Sequence, residues 1–186
     1  MCSIVLILAI DTSTRTGSVA LLRDNCLLAE VSGHEETHYS TRLFRDLDVL
    51  RSQAQFAMNQ IDVFAVASGP GSFTGLRIGL TAVKAWAEVH GKSIAAISAL
   101  EAICAQSAIS TAESASESHT FAPFFDARRG QLFGARYRRS SGNGAGLDLV
   151  GEESIVSPEE FMDLAKGGGW PETGKAYFAR SRFDSR

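Results

Sequence analysis

Hydrophobic positions change period several times along the chain. Ile4–Ile10 is a short, continuous, β-branched-rich apolar run, the pattern of a strand buried on both faces. Thr12–Gly17 reads as a turn and Ser18–Leu22 as a second strand. Asp24-Asn25 marks a tight turn before a third strand over Cys26–Val31, so the chain opens with an antiparallel meander. From Ser40, read as the N-cap, Leu43, Leu47, Leu50, Ala54 and Met58 recur at helical spacing. Asp62–Ser68 is again a strand, broken by Gly69-Pro70-Gly71. A long helix capped by Thr74 runs to His90 and stops at Gly91; a strand over Lys92–Ile97 and a helix over Ala99–Ala108 follow.

The order β-β-β-α-β-α-β-α predicts a mixed sheet covered by helices, an α/β lobe over residues 1–106. Ser107–Ser118 is rich in Ser, Ala and Glu and reads as a linker. A second, smaller α/β lobe is expected over residues 107–186. It has strands at Phe121–Asp126 and Gln131–Tyr137 around the Arg128-Arg129-Gly130 turn, and a flexible loop at Ser140–Gly146. Ser157-Pro158-Glu159-Glu160 is an N-cap, a proline at the first helical position and an acidic first turn; it starts a helix that runs to Lys166 and stops at Gly167–Gly169.

Composition narrows the function classes. The chain has 186 residues, 45% hydrophobic and 21% charged, with a net charge of −3. Nothing in that balance favours strong, unaided binding to nucleic acid, so any RNA role is expected to run through a partner. Three scattered cysteines form no CxxC pair, as in a reducing compartment. The apolar run at the start lacks a basic flank and is too short to span a bilayer, so no membrane association and a cytoplasmic location are expected.

Four stretches are candidates for chemistry. Asp11-Thr12-Ser13-Thr14 ends the first strand in a carboxylate followed by hydroxyls, which suits a phosphate or a magnesium-bound water; the same residues also serve simply to cap a strand end. Ser68–Gly79 places Gly69, Gly71 and Ser72 before a helix N-terminus, an anion-binding arrangement, though no Walker lysine follows. Along that helix Gly75, Gly79 and Ala82 share a face, and Arg77, Thr81, Lys84 and Glu88 form one polar stripe. The rest is apolar or small, including Ile78 and Trp86. This points to a surface shared with a partner, formed together with the Leu43/Leu47/Leu50 helix; packing within the chain is the other reading. His34 and His38 have metal-ligand spacing, but they precede the helix and lack a third ligand, so no metal site is expected. Asp126–Gly130 with Arg136, Arg138 and Arg139 is either a phosphate- or acid-binding set or a solvated turn. No Ser/His/Asp or Cys/His arrangement is recognisable, and no catalytic residue is assigned.

Leu8-Ala-Ile-Asp-Thr-Ser13, Gly69-Pro-Gly-Ser-Phe-Thr-Gly-Leu-Arg-Ile-Gly79 and Asp126-Ala-Arg-Arg-Gly130 together resemble the TsaB (YeaZ) family, in order and in spacing, over roughly residues 4 to 180. The resemblance implies an ASKHA fold, the two-lobed actin-like ATPase architecture on an RNase H-like core, within the group once labelled glycoproteases or peptidase M22. It implies a non-catalytic partner of the catalytic paralogue TsaD, joined by the ATPase TsaE, in threonylcarbamoyladenosine modification of tRNA at adenosine 37. It also implies a homodimer in isolation, and contact with tRNA only through the complex. Where the catalytic paralogue carries two metal-binding histidines, this chain reads Ser98-Ala99-Leu100-Glu101-Ala102-Ile103, and neither Ala99 nor Ile103 can ligate a metal. No cofactor is expected to be required; ATP or ADP would bind weakly, at Asp11–Thr14 and Gly69–Ser72 or at the complex interface. Family members usually continue past the stretch matching Thr173–Phe178, so the second lobe is expected to be short at its C-terminus. The alternatives are an ATP-binding, kinase-like enzyme of the same fold or an M22-type metallopeptidase.

Overall fold

The computed structural model describes residues 4–32, 38–110, 120–139, 146–166 and 176–180. They fall into two compact units, Met1–Ala99 and Leu100–Arg186. The division falls just after the first residue of the third helix, and the rest of that helix is grouped with the second unit.

In the first unit, β1 (Leu6–Asp11), β2 (Ser18–Arg23) and β3 (Cys26–Ser32) form the expected antiparallel meander. β4 (Val63–Gly69) and β5 (Ser93–Ser98) then add in parallel on the other side of β1, giving the order β3-β2-β1-β4-β5. Parallel pairing needs a crossover, and α2 (Phe73–His90) supplies the one between β4 and β5. Alternation along the central strands sends Leu8, Ile10, Val19, Leu21, Phe64 and Val66 to one face. There they pack with Leu43, Leu47 and Leu50 of α1 (Tyr39–Ala54) and with Val83 and Ala87 of α2 in a single core.

The helix ends differ from those read from the sequence. α1 is preceded by His38, which makes no side-chain cap, and Ser40 lies inside the helix. Gln55 in the left-handed conformation ends α1, so Met58 is not part of it and begins a separate 3-10 turn, Met58–Gln60. α2 is capped by Ser72 rather than Thr74: the Ser72 hydroxyl accepts the Gly75 N–H at 3.4 Å, two residues earlier than expected. Gly91, left-handed, closes α2 as the sequence predicts.

The second unit begins within α3 (Ala99–Ser110), at Leu100. β6 (Thr120–Arg128) is its long central strand. β7 (Gln131–Gly134) and β8 (Tyr137–Arg139) pair with β6 in one continuous antiparallel register, from Asp126/Leu132 through Phe124/Gly134 and Phe121/Tyr137 to Thr120/Arg138. The single strand expected over Gln131–Tyr137 is therefore interrupted at Ala135-Arg136 without changing register. β9 (Leu147–Leu149) and β10 (Ser154–Val156) lie along the far edge of β8 and β7, and β11 (Ala176–Arg180) runs parallel to β6 on its other edge. α4 (Pro158–Lys166) carries the predicted cap, with Ser157 and Glu160 exchanging bonds at 3.1 and 2.8 Å. Its Phe161 covers Gly134 so closely that any side chain there would collide with the ring, and it packs on Phe124 with centroids 5.1 Å apart. His34, His119, the loop over 140–145, the helix stop over 167–169 and most of the 107–118 linker lie outside the described residues.

Candidate functional site

The two glycine- and hydroxyl-bearing stretches meet. β1 delivers Asp11 to the sheet end, where its Oδ1 accepts the Ser13 N–H at 2.7 Å and fixes the start of the turn. The Ser13 carbonyl in turn accepts the Ser72 N–H at 2.7 Å, tying the β1–β2 turn to the start of α2. Further along, Thr14 Oγ1 lies 3.2 Å from Thr16 Oγ1 and accepts the Gly17 N–H at 3.4 Å.

Glycines before and within α2 are what allow this contact. A Cβ on Gly71 would sit 2.6 Å from the Ser13 carbonyl oxygen. One on Gly75 would strike the Thr12 carbonyl and the Tyr39 ring, and one on Gly79 the Thr12 hydroxyl. Gly75 and Gly79 are thus occupied by the chain's own β1–β2 turn, and Leu43, Leu47 and Leu50 by its own core. This corrects the expectation that these five form a partner surface. Of the other residues in that set, Ile78, Ala82 and Trp86 are half-buried at the edge of the core.

The outward faces of α1 and α2 are the open ones. Arg77, Thr81, Lys84 and Glu88 are all exposed, as the stripe predicts. Around them stand large apolar side chains facing solvent: Phe73 at 74% exposure and Val89 at 77% on α2, with Phe44 and Val49 on α1. Phe44 meets the Trp86 ring edge-on at 6.2 Å, and the Arg77 guanidinium lies 5.3 Å over the Phe73 ring.

The seven residues expected to hold nucleotide phosphate lie in two stretches, Asp11–Thr14 and the Gly69, Gly71 and Ser72 segment, that meet through Ser13, Gly71 and Ser72, but the junction is filled from within. Thr12 and Ser13 are buried, and Ser72 uses its hydroxyl as a helix cap. Thr12 Oγ1 has no hydrogen-bond partner among the described residues.

Sequence reasoning missed a buried charge beside this junction. Arg42 is only 2% exposed, and its Nη1 and Nη2 have no hydrogen-bond partner among the described residues. Its guanidinium presses against Gly17 and lies 5.3 Å from the Tyr39 ring centre. Burial pulls its pKa below the ordinary arginine value, while Asp46, Tyr39 and Asp11 act in the opposite sense. Asp46, also buried, accepts from Arg45 Nε at 3.2 Å and Nη2 at 3.0 Å. The signal was present: Arg42 and Asp46 stand four apart beside Leu43 and Leu47, on the apolar face of the helix.

α3 opens with Ala99 and Leu100 buried and Ile103 half-buried. The Cys104 thiol is fully buried; burial, and then Glu101, push its pKa up to about 12 against the pull of Arg139. A low-pKa nucleophile is the opposite case. The Asp126–Gly130 turn sits at the β6–β7 tip with Arg128 and Arg129 exposed; it is far along β6 from Arg138, which pairs with Thr120. Among the described residues, no group of three His, Cys, Asp or Glu side chains could hold a metal, and no helix is long and apolar enough to cross a membrane.

Comparison with known proteins bears on this geometry. Residues 32–183 match the family model described as TsaD, tRNA N6-adenosine threonylcarbamoyltransferase. The chain is 35% identical to the tRNA threonylcarbamoyladenosine biosynthesis protein TsaB of Bacillus subtilis (strain 168), over 86% of this chain and 66% of that one. It is 27% identical to the Haemophilus influenzae protein of the same name, over 97% of this chain and 76% of that one. Among solved structures, a Pseudomonas aeruginosa protein described as similar to peptidase YEAZ superposes with a TM-score of 0.74 at 25% identity, covering 94% of this chain and 74% of that one. The chain thus spans about two thirds of the Bacillus relative's length.

Proposed function

The chain belongs to the TsaB/YeaZ family and has its actin-like ATPase-type α/β fold, and on that premise we propose that it is a non-catalytic scaffold in the biosynthesis of threonylcarbamoyladenosine in tRNA. It binds the catalytic TsaD-like paralogue, and through that complex the TsaE-like ATPase and the tRNA. In isolation it pairs with a second copy of itself.

The observation that carries this reading is the outward face of α1 and α2. Phe44, Val49, Phe73 and Val89 are large, apolar and exposed around the Arg77–Glu88 stripe. Large exposed apolar side chains on two helices that already bury one face in the core offer a surface that a partner can cover. The non-catalytic part of the reading rests on α3, whose first turns offer Ala99 and Ile103 where the catalytic paralogue carries metal-binding histidines.

Nucleotide has a minor place in this proposal. With Thr12, Ser13 and Ser72 engaged inside the fold, the isolated chain binds ATP or ADP weakly and needs neither.

The test is co-elution with the catalytic paralogue of the same organism. The wild-type chain should co-elute. A Phe73→Asp/Val89→Asp variant should keep the wild-type unfolding temperature, because both side chains are solvent-exposed, and should lose the complex. A variant that co-elutes as well as wild type would show that the partner docks elsewhere.

A further inference from the structure

The Asp126–Gly130 turn has no role in the scaffold reading, yet its backbone is held in an unusual state. Arg128 has φ +67°, Arg129 φ +54° and Gly130 φ +75°. Three successive residues in the left-handed region include two that carry Cβ atoms, where such a conformation is unfavourable. The fold enforces it. A register shift between Asp126 and Arg128 makes Ala127 a bulge, and the Asp126 Oδ1 accepts the Arg128 N–H at 2.6 Å. Arg128 pairs with Gln131, so Arg129-Gly130 is a two-residue hairpin turn. Turns of this kind favour Asn-Gly or Gly-Gly at the tip, which reach positive φ at lower cost. Arginine at both 128 and 129 is therefore not explained by the turn.

The side chains themselves are open. Arg128 and Arg129 are exposed, and neither makes an ion pair among the described residues. Their setting is locally basic in an acidic chain: residues 126–139 hold five arginines and one acid, against a net charge of −3 overall. Further along, in β8, Arg138 has the acidic Asp148 opposite it in the register. At the tip the residue opposite Arg128 is the neutral Gln131. Nor does the tip offer a protein partner an apolar centre, since residues 126–131 include no large apolar side chain.

We propose that the Arg128-Arg129 tip is a phosphate-backbone contact for RNA, made within the modification complex; this rests on the function proposed above. Two adjacent guanidinium groups on a fixed hairpin suit the bidentate recognition of phosphate oxygens without reading sequence. Two such contacts are too few for tight binding by the isolated chain, in keeping with the net negative charge. They add to binding once the partner holds the same RNA.

The experiment uses the reconstituted complex and its tRNA, with an Arg128→Gly/Arg129→Asn variant. These substitutions suit the left-handed backbone, so the variant should unfold at the same temperature as wild type or higher. Its complex should form normally. Its tRNA affinity should fall, with the slope of log K against log salt shallower by about 1 for each arginine removed. A wild-type affinity and slope in an intact complex would overturn the proposal. Loss of co-elution by the variant would also overturn it, because the tip would then be holding an acidic protein surface. Failure of the wild-type complex to assemble is a different result, and it contradicts the scaffold reading instead.

Discussion

Arg42 is placed where a charge is expensive. A guanidinium with its terminal nitrogens unpartnered under a turn bears a desolvation penalty that the neighbouring Asp46 only partly offsets. Its aliphatic stem and planar head nonetheless fill the space between Tyr39 and Gly17. Volume and charge therefore pull in opposite directions, and two substitutions separate them. Arg42→Met keeps most of the volume and removes the charge, so stability should stay the same or rise by about 1–3 kcal/mol. Arg42→Ala opens a cavity beneath the β1–β2 turn and should cost about 2–5 kcal/mol. Urea unfolding of both variants measures the difference. If Arg42→Met is as damaging as Arg42→Ala, the guanidinium is making bonds that matter and the charge is not a burden.

At the scale of elements, α3 shows how burial sets chemistry. Leu100 and Cys104 stand four apart on a buried face, so the thiol stays neutral well above its ordinary range. The sign of the linkage follows. The unfolded thiol ionises near the ordinary value of 9.0 and the folded one at about 12. Stability from the neutral buried thiol is whole below the first value and is lost as pH rises toward the second, by about 1.4 kcal/mol per pH unit in that window. Cys104→Ala removes this contribution. The stability difference between wild type and variant should therefore shrink between about pH 8 and about pH 10.5 in urea titrations. A constant difference would mean the thiol is not desolvated. β1 to β5 were legible as short apolar runs bounded by turn signals, α1 from its 3.6-residue stripe, and α4 from its Ser157–Glu160 start. The caps at Ser72 and His38 were not: several hydroxyl residues compete for each cap, and tertiary contacts decide among them. β9 and β10 are three residues each, too short to carry a period, and β11 follows a glycine-rich stretch that gives no strand signal.

The first unit is organised around one junction. Asp11 fixes the turn, the turn occupies the small-residue face of α2, and α1 closes over both with Tyr39 and Arg42. The glycine-rich stretch was recognisable as a special site from its residues alone. What it serves was not, because a glycine that admits a partner's surface and one that admits a threonine of the same chain look alike in sequence, and here Gly75 and Gly79 admit Thr12. The same closure turns the polar stripe of α2 and its apolar flanks outward, which leaves the two helices as the surface through which the chain would act. The most direct test of that account is the tRNA modification reaction reconstituted from the catalytic paralogue, the TsaE-like ATPase, tRNA, threonylcarbamoyl-adenylate and ATP, run with and without this chain. The account predicts modified adenosine only when the chain is present. Equal modification in its absence, by a paralogue that forms no complex with it, would contradict the scaffold role.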